Sequence, residues 1–287
     1  MNRGIFIILS GYLIWGSFPI YWSLLNHVNP TEVLAHRIIW SIPVLLLFVS
    51  LKLSWRNNVR SILSNKGELL LLLVTGILIC INWGTYIYAV SLGRVIEGSL
   101  GYFLSPIVSI LGGFIFFKER VSKLQKYSIG FVTAGSLYYV ASVEVFPWLG
   151  LILAFSFSSY GLMRKAMKSS AVPGLFLETI LLLPLTLFFV IWIASSNQLA
   201  FLNVDRSTDA LLILAGIVTV IPLVLFTAGA RLLPMTTVGI LSFINPTLQF
   251  LVGYYYFNEP FNSDQFIGFI GIWIGLLLYC YALIKKT

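Results

Sequence analysis

The sequence predicts an all-α integral membrane protein with ten transmembrane helices, arranged as two inverted five-helix repeats, residues 1–145 and 146–287. Three observations predict this. The 287 residues are 59% hydrophobic and 10% charged, with a mean hydropathy of +0.94. A soluble protein carries about 25% charged residues, so this chain cannot cover a water-facing surface. Apolar runs of roughly the 20 residues that a bilayer core requires occur ten times, near 4–24, 32–53, 68–91, 95–117, 124–142, 147–166, 173–195, 209–230, 234–257 and 264–284. The third observation is a pattern in the fourth run that returns in the ninth.

In the first half of the chain, the opening run follows Met1-Asn2-Arg3 and has no small-residue cleavage site after it. It is expected to be a helix and not a removed signal peptide. Tyr12, Trp15, Gly16 and Pro19 interrupt it. In the second run Glu32, His36 and Trp40 share a face, and Arg37 lies one to two turns inside. An intramembrane charge costs at least about 2.5 kcal/mol, so it faces a cavity or a partner. Arg37 therefore contacts a ligand, beside a proton-linked Glu32/His36 pair, or it pairs with Glu32 or Glu97 as an outer gate or clamp. Asn82 and Tyr86 share a face of the third run. They suit orientation of a small polar ligand, although Asn82 could equally bond a neighbouring helix. In the fourth run Ser99, Tyr102, Pro106, Ser109 and Gly113 fall at steps of three and four and line one face. Pro106 has no N–H and deprives the Tyr102 carbonyl of its partner. A broken helix is expected there, tolerable only beside protein or a water-filled cavity.

In the second half, Ser156, Ser159 and Tyr160-Gly161 interrupt the sixth run. Glu178 is the lone carboxylate of the seventh, expected to pair with Arg164 or Lys165 or to line the inner mouth. Pro222 and Phe226 of the eighth stand where the third has Asn82 and Tyr86. In the ninth, Gly239, Ser242, Pro246, Gln249 and Gly253 repeat the polar stripe. A shift of 140 residues superposes Phe103, Pro106, Leu111, Gly113, Phe117, Glu119 and Gln125 on identical residues, seven matches where chance gives about two. Gly271 and Gly275 of the tenth run form a Gly-x-x-x-Gly step, for contact within the chain or for dimerisation. Trp22, Trp55 and Trp148 near run ends suit aromatic belts. Cys80 and Cys280 lie in apolar runs, where packing is expected and a disulfide framework is not.

The charges set the topology. With the N-terminus inside, 15 of the 18 basic residues fall on the inner side and only Arg37, Arg94 and Arg206 outside. This positive-inside bias puts both termini in the cytoplasm. It also accounts for the net charge of +8 without a nucleic-acid partner. Five spans per half is an odd number, so the second half enters from the opposite face. Inverted repeats with broken helices in corresponding places point to a secondary transporter that exposes one site to each side in turn. Enzyme and cofactor signatures are missing. The chain has no phosphate-binding Gly-x-x-x-x-Gly-Lys-Ser/Thr loop, no metal-spaced ligand cluster and no Ser-His-Asp constellation. Its only histidines are His27 and His36.

These residues resemble a known family. Pro-x(6)-Gly-x(5)-Glu near the end of each half resembles the drug/metabolite transporter superfamily, in its EamA-like branch. Gly11-Tyr12 with Trp15-Gly16, Glu32 with His36-Arg37 and Trp40-Ser41, Asn82-Trp83, Glu97 with Ser99-Leu100-Gly101-Tyr102 and Pro106, Glu119-Arg120, Pro147-Trp148, Ser156-Phe157, Tyr160-Gly161 and Arg164-Lys165 resemble the RarD-type permeases. Pro260 departs from the pattern, standing where the first half has Arg120. The resemblance implies a multi-pass permease of the bacterial inner membrane. It implies export of small amphipathic metabolites or drugs by alternating access, without ATP or cofactor. The expected binding residues are Tyr12, Trp15, Asn82, Tyr86, Ser99 and Tyr102 from one half and Tyr160, Ser242, Asn245 and Gln249 from the other. They would line a cavity bounded by the first, third, fourth, sixth, eighth and ninth spans. Pro106 and Pro246 would be hinges, and Glu32, His36, Arg37 and Glu97 an outer gate or coupling group. The expected partners are a small-molecule substrate and the lipid bilayer, for a monomer or homodimer. Protons join them if His36 and Glu32 drive antiport, and do not if movement is facilitated diffusion. The alternative is a non-transport membrane subunit that handles lipid or assembly.

Overall fold

The computed structural model describes residues 2–91, 95–142, 148–258 and 263–285. Among them the chain forms fourteen α-helices and no strand. They are α1 (Asn2–Gly16), α2 (Phe18–Ser23), α3 (Pro30–Ile39), α4 (Ser41–Leu51), α5 (Leu53–Leu63), α6 (Lys66–Ser91), α7 (Val95–Phe117), α8 (Lys123–Ala141), α9 (Trp148–Ala166), α10 (Ala171–Ser195), α11 (Arg206–Leu232), α12 (Met235–Ser242), α13 (Ile244–Tyr256) and α14 (Ser263–Ile284). Seven segments are long and apolar enough to cross a membrane, and Gly101–Phe117 forms a shorter apolar helix. Phe6, Leu47, Ile115, Phe116, Phe188 and Leu277 are more than half exposed. In water such a surface would aggregate; in lipid it is solvated.

Local chemistry explains several helix ends. Pro30 opens α3, and the Asn29 side chain accepts from the Thr31 N–H at 2.9 Å. Ser122 and Gln125 form a reciprocal capping box at the start of α8. Three apolar runs are split two or three residues before a proline: at Ser17 before Pro19, at Trp40 before Pro43 and at Phe243 before Pro246. Each proline removes an N–H and crowds the carbonyl four residues back. The expected break at Pro106 is not found. α7 runs unbroken through it, as α10 and α11 run through Pro184 and Pro222. Two braces hold α7 straight. The Ser158 hydroxyl of α9 donates to the Ser105 carbonyl at 2.8 Å, and Gly239 of α12 lies against the Pro106 carbonyl, where a Cβ would approach to 2.7 Å.

Several elements begin 140 residues apart: α6 and α11 at Lys66 and Arg206, α7 and α12 at Val95 and Met235, α8 and α14 at Lys123 and Ser263. Lys118 and Asn258, also 140 apart, take the same left-handed conformation, with φ of 50° and 53°, after α7 and α13. The Gly271–Gly275 step packs within the chain, against α8. Ser128 donates to the Gly275 carbonyl at 2.6 Å, and Gly271 lies on Gly135. The connection 52–65 is not bare loop. It carries α5, whose Asn58 accepts from the Ser170 N–H at 3.0 Å while Glu68 accepts from Ser169 at 2.7 Å.

Candidate functional site

The split helices, α6, α7 and α9 surround a cavity of about 650 Å³, open solvent at its mouth included. Residues from both chain halves line it: Tyr12, Trp15, Arg37, Asn82, Tyr86, Tyr102 and Pro106 from the first, Ser242, Asn245 and Gln249 from the second. Phe18, Trp22, Trp83, Ser105 and Phe157 complete the wall. The second span therefore contributes through Arg37, and no residue of α11 appears among the described lining residues. Pro246 belongs to α13 beside the cavity, three residues after the break at Phe243. The side chains of Ser99 and Glu97 lie outside the described residues, as do Glu259 and Pro260.

Proline chemistry supplies one polar fitting. Pro19 cannot donate to the Trp15 carbonyl, and Gln249 of α13 reaches that carbonyl instead, Nε2···O 3.5 Å. The same amide nitrogen donates to Asn245 Oδ1 at 3.1 Å. The rings of Trp15 and Phe157 form the floor, and Phe226 of α11 packs behind them, with centroids 4.8–5.5 Å apart. Tyr12 pins the floor by donating to the Val238 carbonyl at 3.1 Å.

Arg37 does not meet Glu32, one of the two carboxylates expected for it, and the side chain of the other, Glu97, lies outside the described residues. It is 3% exposed. Its Nε donates to Thr219 Oγ1 at 3.1 Å. Its guanidinium carbon lies 4.5 Å from the Trp22 ring centroid and 4.4 Å from that of Trp83. Among the described residues no carboxylate pairs with it. Each cation–π contact is worth about 0.5–2 kcal/mol, so two offset much of the roughly 2.5–3.5 kcal/mol that a charge costs inside a membrane. Trp22, expected in an aromatic belt, is instead half of this clamp.

Glu32 does not meet Arg37. Both carboxylate oxygens accept from the backbone N–H groups of Ala200 and Phe201 at 2.8–3.0 Å, tying the connection 196–205 to α3. His36 Nδ1 accepts from Trp40 Nε1 at 2.9 Å. A neutral His36 then carries its proton on Nε2, which lies 3.9 Å from Glu32 Oε1 and has no hydrogen bond. Asn82 lines the cavity but binds α9: its Nδ2 donates to the Leu153 carbonyl at 2.9 Å and to Ser156 Oγ at 3.1 Å. Tyr160, expected in the cavity, is fully buried outside it. It stacks with Phe226 and donates to Glu178 Oε2 at 3.4 Å. Glu178 meets Arg164, Nε···Oε1 3.6 Å, as one of the two sequence alternatives had it.

The end of the bundle that holds the start of α1 is tightly sewn. Glu119, just past α7, accepts from the N–H groups of Met235 and Thr236 at 2.6 and 2.8 Å and so caps α12. Lys165 donates to the carbonyls of Ala230 and Leu233, and Arg231 to those of Met167 and Ser169.

Comparison with known proteins agrees with this architecture. The EamA-like transporter family matches residues 2–141 and again 147–281. "Uncharacterized transporter YojE" of Bacillus subtilis is 38% identical over 99% of this chain and 95% of its own length. "Protein RarD" of Escherichia coli is 35% identical over 97% of this chain and 94% of its own. A solved crystal structure superposes with a TM-score of 0.73 over 96% of both chains at 16% identity, which shows the shared fold. The chain is a multi-pass membrane protein of the EamA-like transporter family, similar along nearly its whole length to the RarD proteins.

Proposed function

We propose that the protein is a secondary transporter that exports small amphipathic molecules across the bacterial inner membrane by alternating access, without ATP and without catalysis. In this reading the ten apolar segments span the bilayer as two inverted five-helix halves, 1–145 and 146–287, with both termini cytoplasmic. One observation carries it: a cavity walled by both halves at their helix breaks, with polar groups facing inward from helices that are otherwise apolar. The 140-residue spacing of element starts supports the repeat. Arg164, Lys165 and Arg231 at the end that holds the start of α1 support the orientation. The cavity is sealed by Glu119, Lys165 and the aromatic floor at that end, so this is the conformation closed to the cytoplasm. The Gly271–Gly275 face is filled by α8, which favours a monomer.

Coupling to protons through Glu32 would release the connection that Glu32 holds, so the geometry favours movement that ignores a pH gradient. Flux that follows an imposed gradient and loses this dependence in His36→Gln would reverse that choice. The transport reading is tested in two steps. A screen compares efflux from cells with and without the protein, and the molecule so found is followed in proteoliposomes. Asn245→Ala with Gln249→Ala should lower flux at least tenfold with an unchanged elution profile. Asn82→Ala is the wrong probe, because it unties α6 from α9. Full flux in the Asn245/Gln249 double variant, or an empty screen, would overturn the assignment.

A further inference from the structure

We infer that the cavity is built for a monoanion: a carboxylate carried on an apolar body and received by Arg37. The inference rests on the transporter reading and specifies its cargo. Arg37 is the only charged residue among the described lining residues. It is 3% exposed, and among the described residues its Nε alone is engaged, on Thr219. The two Nη groups have no hydrogen-bond partner among the described residues. The Trp22 and Trp83 rings both pack on the guanidinium, with centroids 4.5 and 4.4 Å from its carbon. Ring contact of this kind uses the π surface of a guanidinium and leaves its N–H edge for an in-plane acceptor. A planar fork with a free edge matches a carboxylate through two parallel N–H···O bonds.

Charge balance narrows the class. One cation between apolar walls is neutralised by one negative charge. A phosphate monoester, at about −1.5 to −2, would leave an uncompensated anion against Trp15 and Phe157. A cationic amphipath would meet Arg37 unscreened. Asn245 also lines the cavity; its Oδ1 accepts from Gln249, and its amino group donates to none of the described residues. It can donate to a second polar group on the same cargo. The energetics agree with a site that needs no proton: an inside-negative potential drives a monoanion outward by itself.

The experiment measures binding to the purified full chain with matched probes of equal shape: 3-phenylpropanoate, 3-phenylpropanamide and 3-phenylpropylamine, and the 2-naphthylacetate and 2-naphthylacetamide pair. The carboxylates should bind at least tenfold more tightly than their amides, with the amine weakest. Arg37→Gln should reduce the carboxylates to the level of the amides. Arg37→Lys, which keeps the charge and loses the fork, should retain part of the preference and so separates recognition from misfolding. Equal binding of acid and amide, tighter binding of the amine, a carboxylate preference that survives Arg37→Gln, or no binding by any probe would each overturn the inference. Flux of a neutral cargo in proteoliposomes, with no carboxylate preference, would sink the anion site and leave transport standing. Carboxylate binding without flux would do the reverse.

Discussion

Glu119 lies at the junction on which the proposed alternation would depend, and its removal has a calculable effect. Its carboxylate spans from the end of α7 to the first N–H groups of α12, at 2.6 and 2.8 Å. A hydrogen bond to a charged group contributes about 1.5–3 kcal/mol when buried. Glu119 is part-exposed, so screening lowers the pair together to about 2 kcal/mol. If the bonds exist only in the conformation closed at this end, losing them shifts the closed-to-open ratio about 30-fold. Glu119→Gln keeps one acceptor and should shift it about fivefold. The assay starts from a chain with Cys80→Ala and Cys280→Ala and adds Met235→Cys, at a position fully buried in this conformation. An impermeant maleimide is then applied to inside-out vesicles. Labelling should accelerate about 30-fold with Glu119→Ala and about fivefold with Glu119→Gln. A lower melting temperature with unchanged labelling would refute the reasoning, because the carboxylate would then support open and closed forms alike.

Two further outcomes test the packing. A Cβ at Gly135 would lie 2.6 Å from the Gly268 carbonyl oxygen and 2.9 Å from the Ile272 nitrogen, both backbone atoms that cannot yield. Gly135→Val should cost about 1–3 kcal/mol and lower the melting temperature by several degrees. Gly130→Ala in the same helix meets nothing within 4 Å and should leave the melting temperature unchanged or slightly raised; equal melting of the two would exclude close α8–α14 packing as the cause. Glu32→Ala should free the connection 196–205 and speed tryptic cleavage at Arg206, the only basic residue between Lys168 and Arg231, at least tenfold. An unchanged digestion rate would mean that the connection is held by other contacts.

Much of the helical layout was legible because membrane chemistry leaves few options. An apolar run of about 20 residues can satisfy its backbone only as a helix, so each of the ten runs coincides with a helix or a split pair. The breaks were legible only in part. Pro106 and Pro246 remove the same hydrogen bond, yet α7 stays continuous and α12–α13 divides. The difference is tertiary. Ser158 and Gly239 brace α7 at its proline. The division at Trp40 went unread because Pro43 sits inside an apolar run with its effect upstream. Gly216 of α11 lies against the Trp40 carbonyl, so close that a side chain there would collide with it.

The site was legible where polar groups share a phase on an apolar helix, since such a stripe must face away from lipid. Tyr12 and Trp15, Asn82 and Tyr86, and Ser242, Asn245 and Gln249 meet in the cavity for that reason. Phase fails across a break. Trp22 lies beyond the interruption at Ser17, and an aromatic near a helix end reads equally as a belt residue. Phase also explains why Arg37 does not meet Glu32, one of the two carboxylates that the sequence offered it. Residues five apart on an α-helix diverge by about 140°, so Glu32 turns to Ala200 and Phe201 while Arg37 turns inward to Thr219 and the two tryptophans. Proximity in sequence suggested a neutral pair, and helical geometry separates it. That separation leaves the cavity with a positive charge that no described side chain cancels, packed against Trp22 and Trp83 where a ligand would meet it.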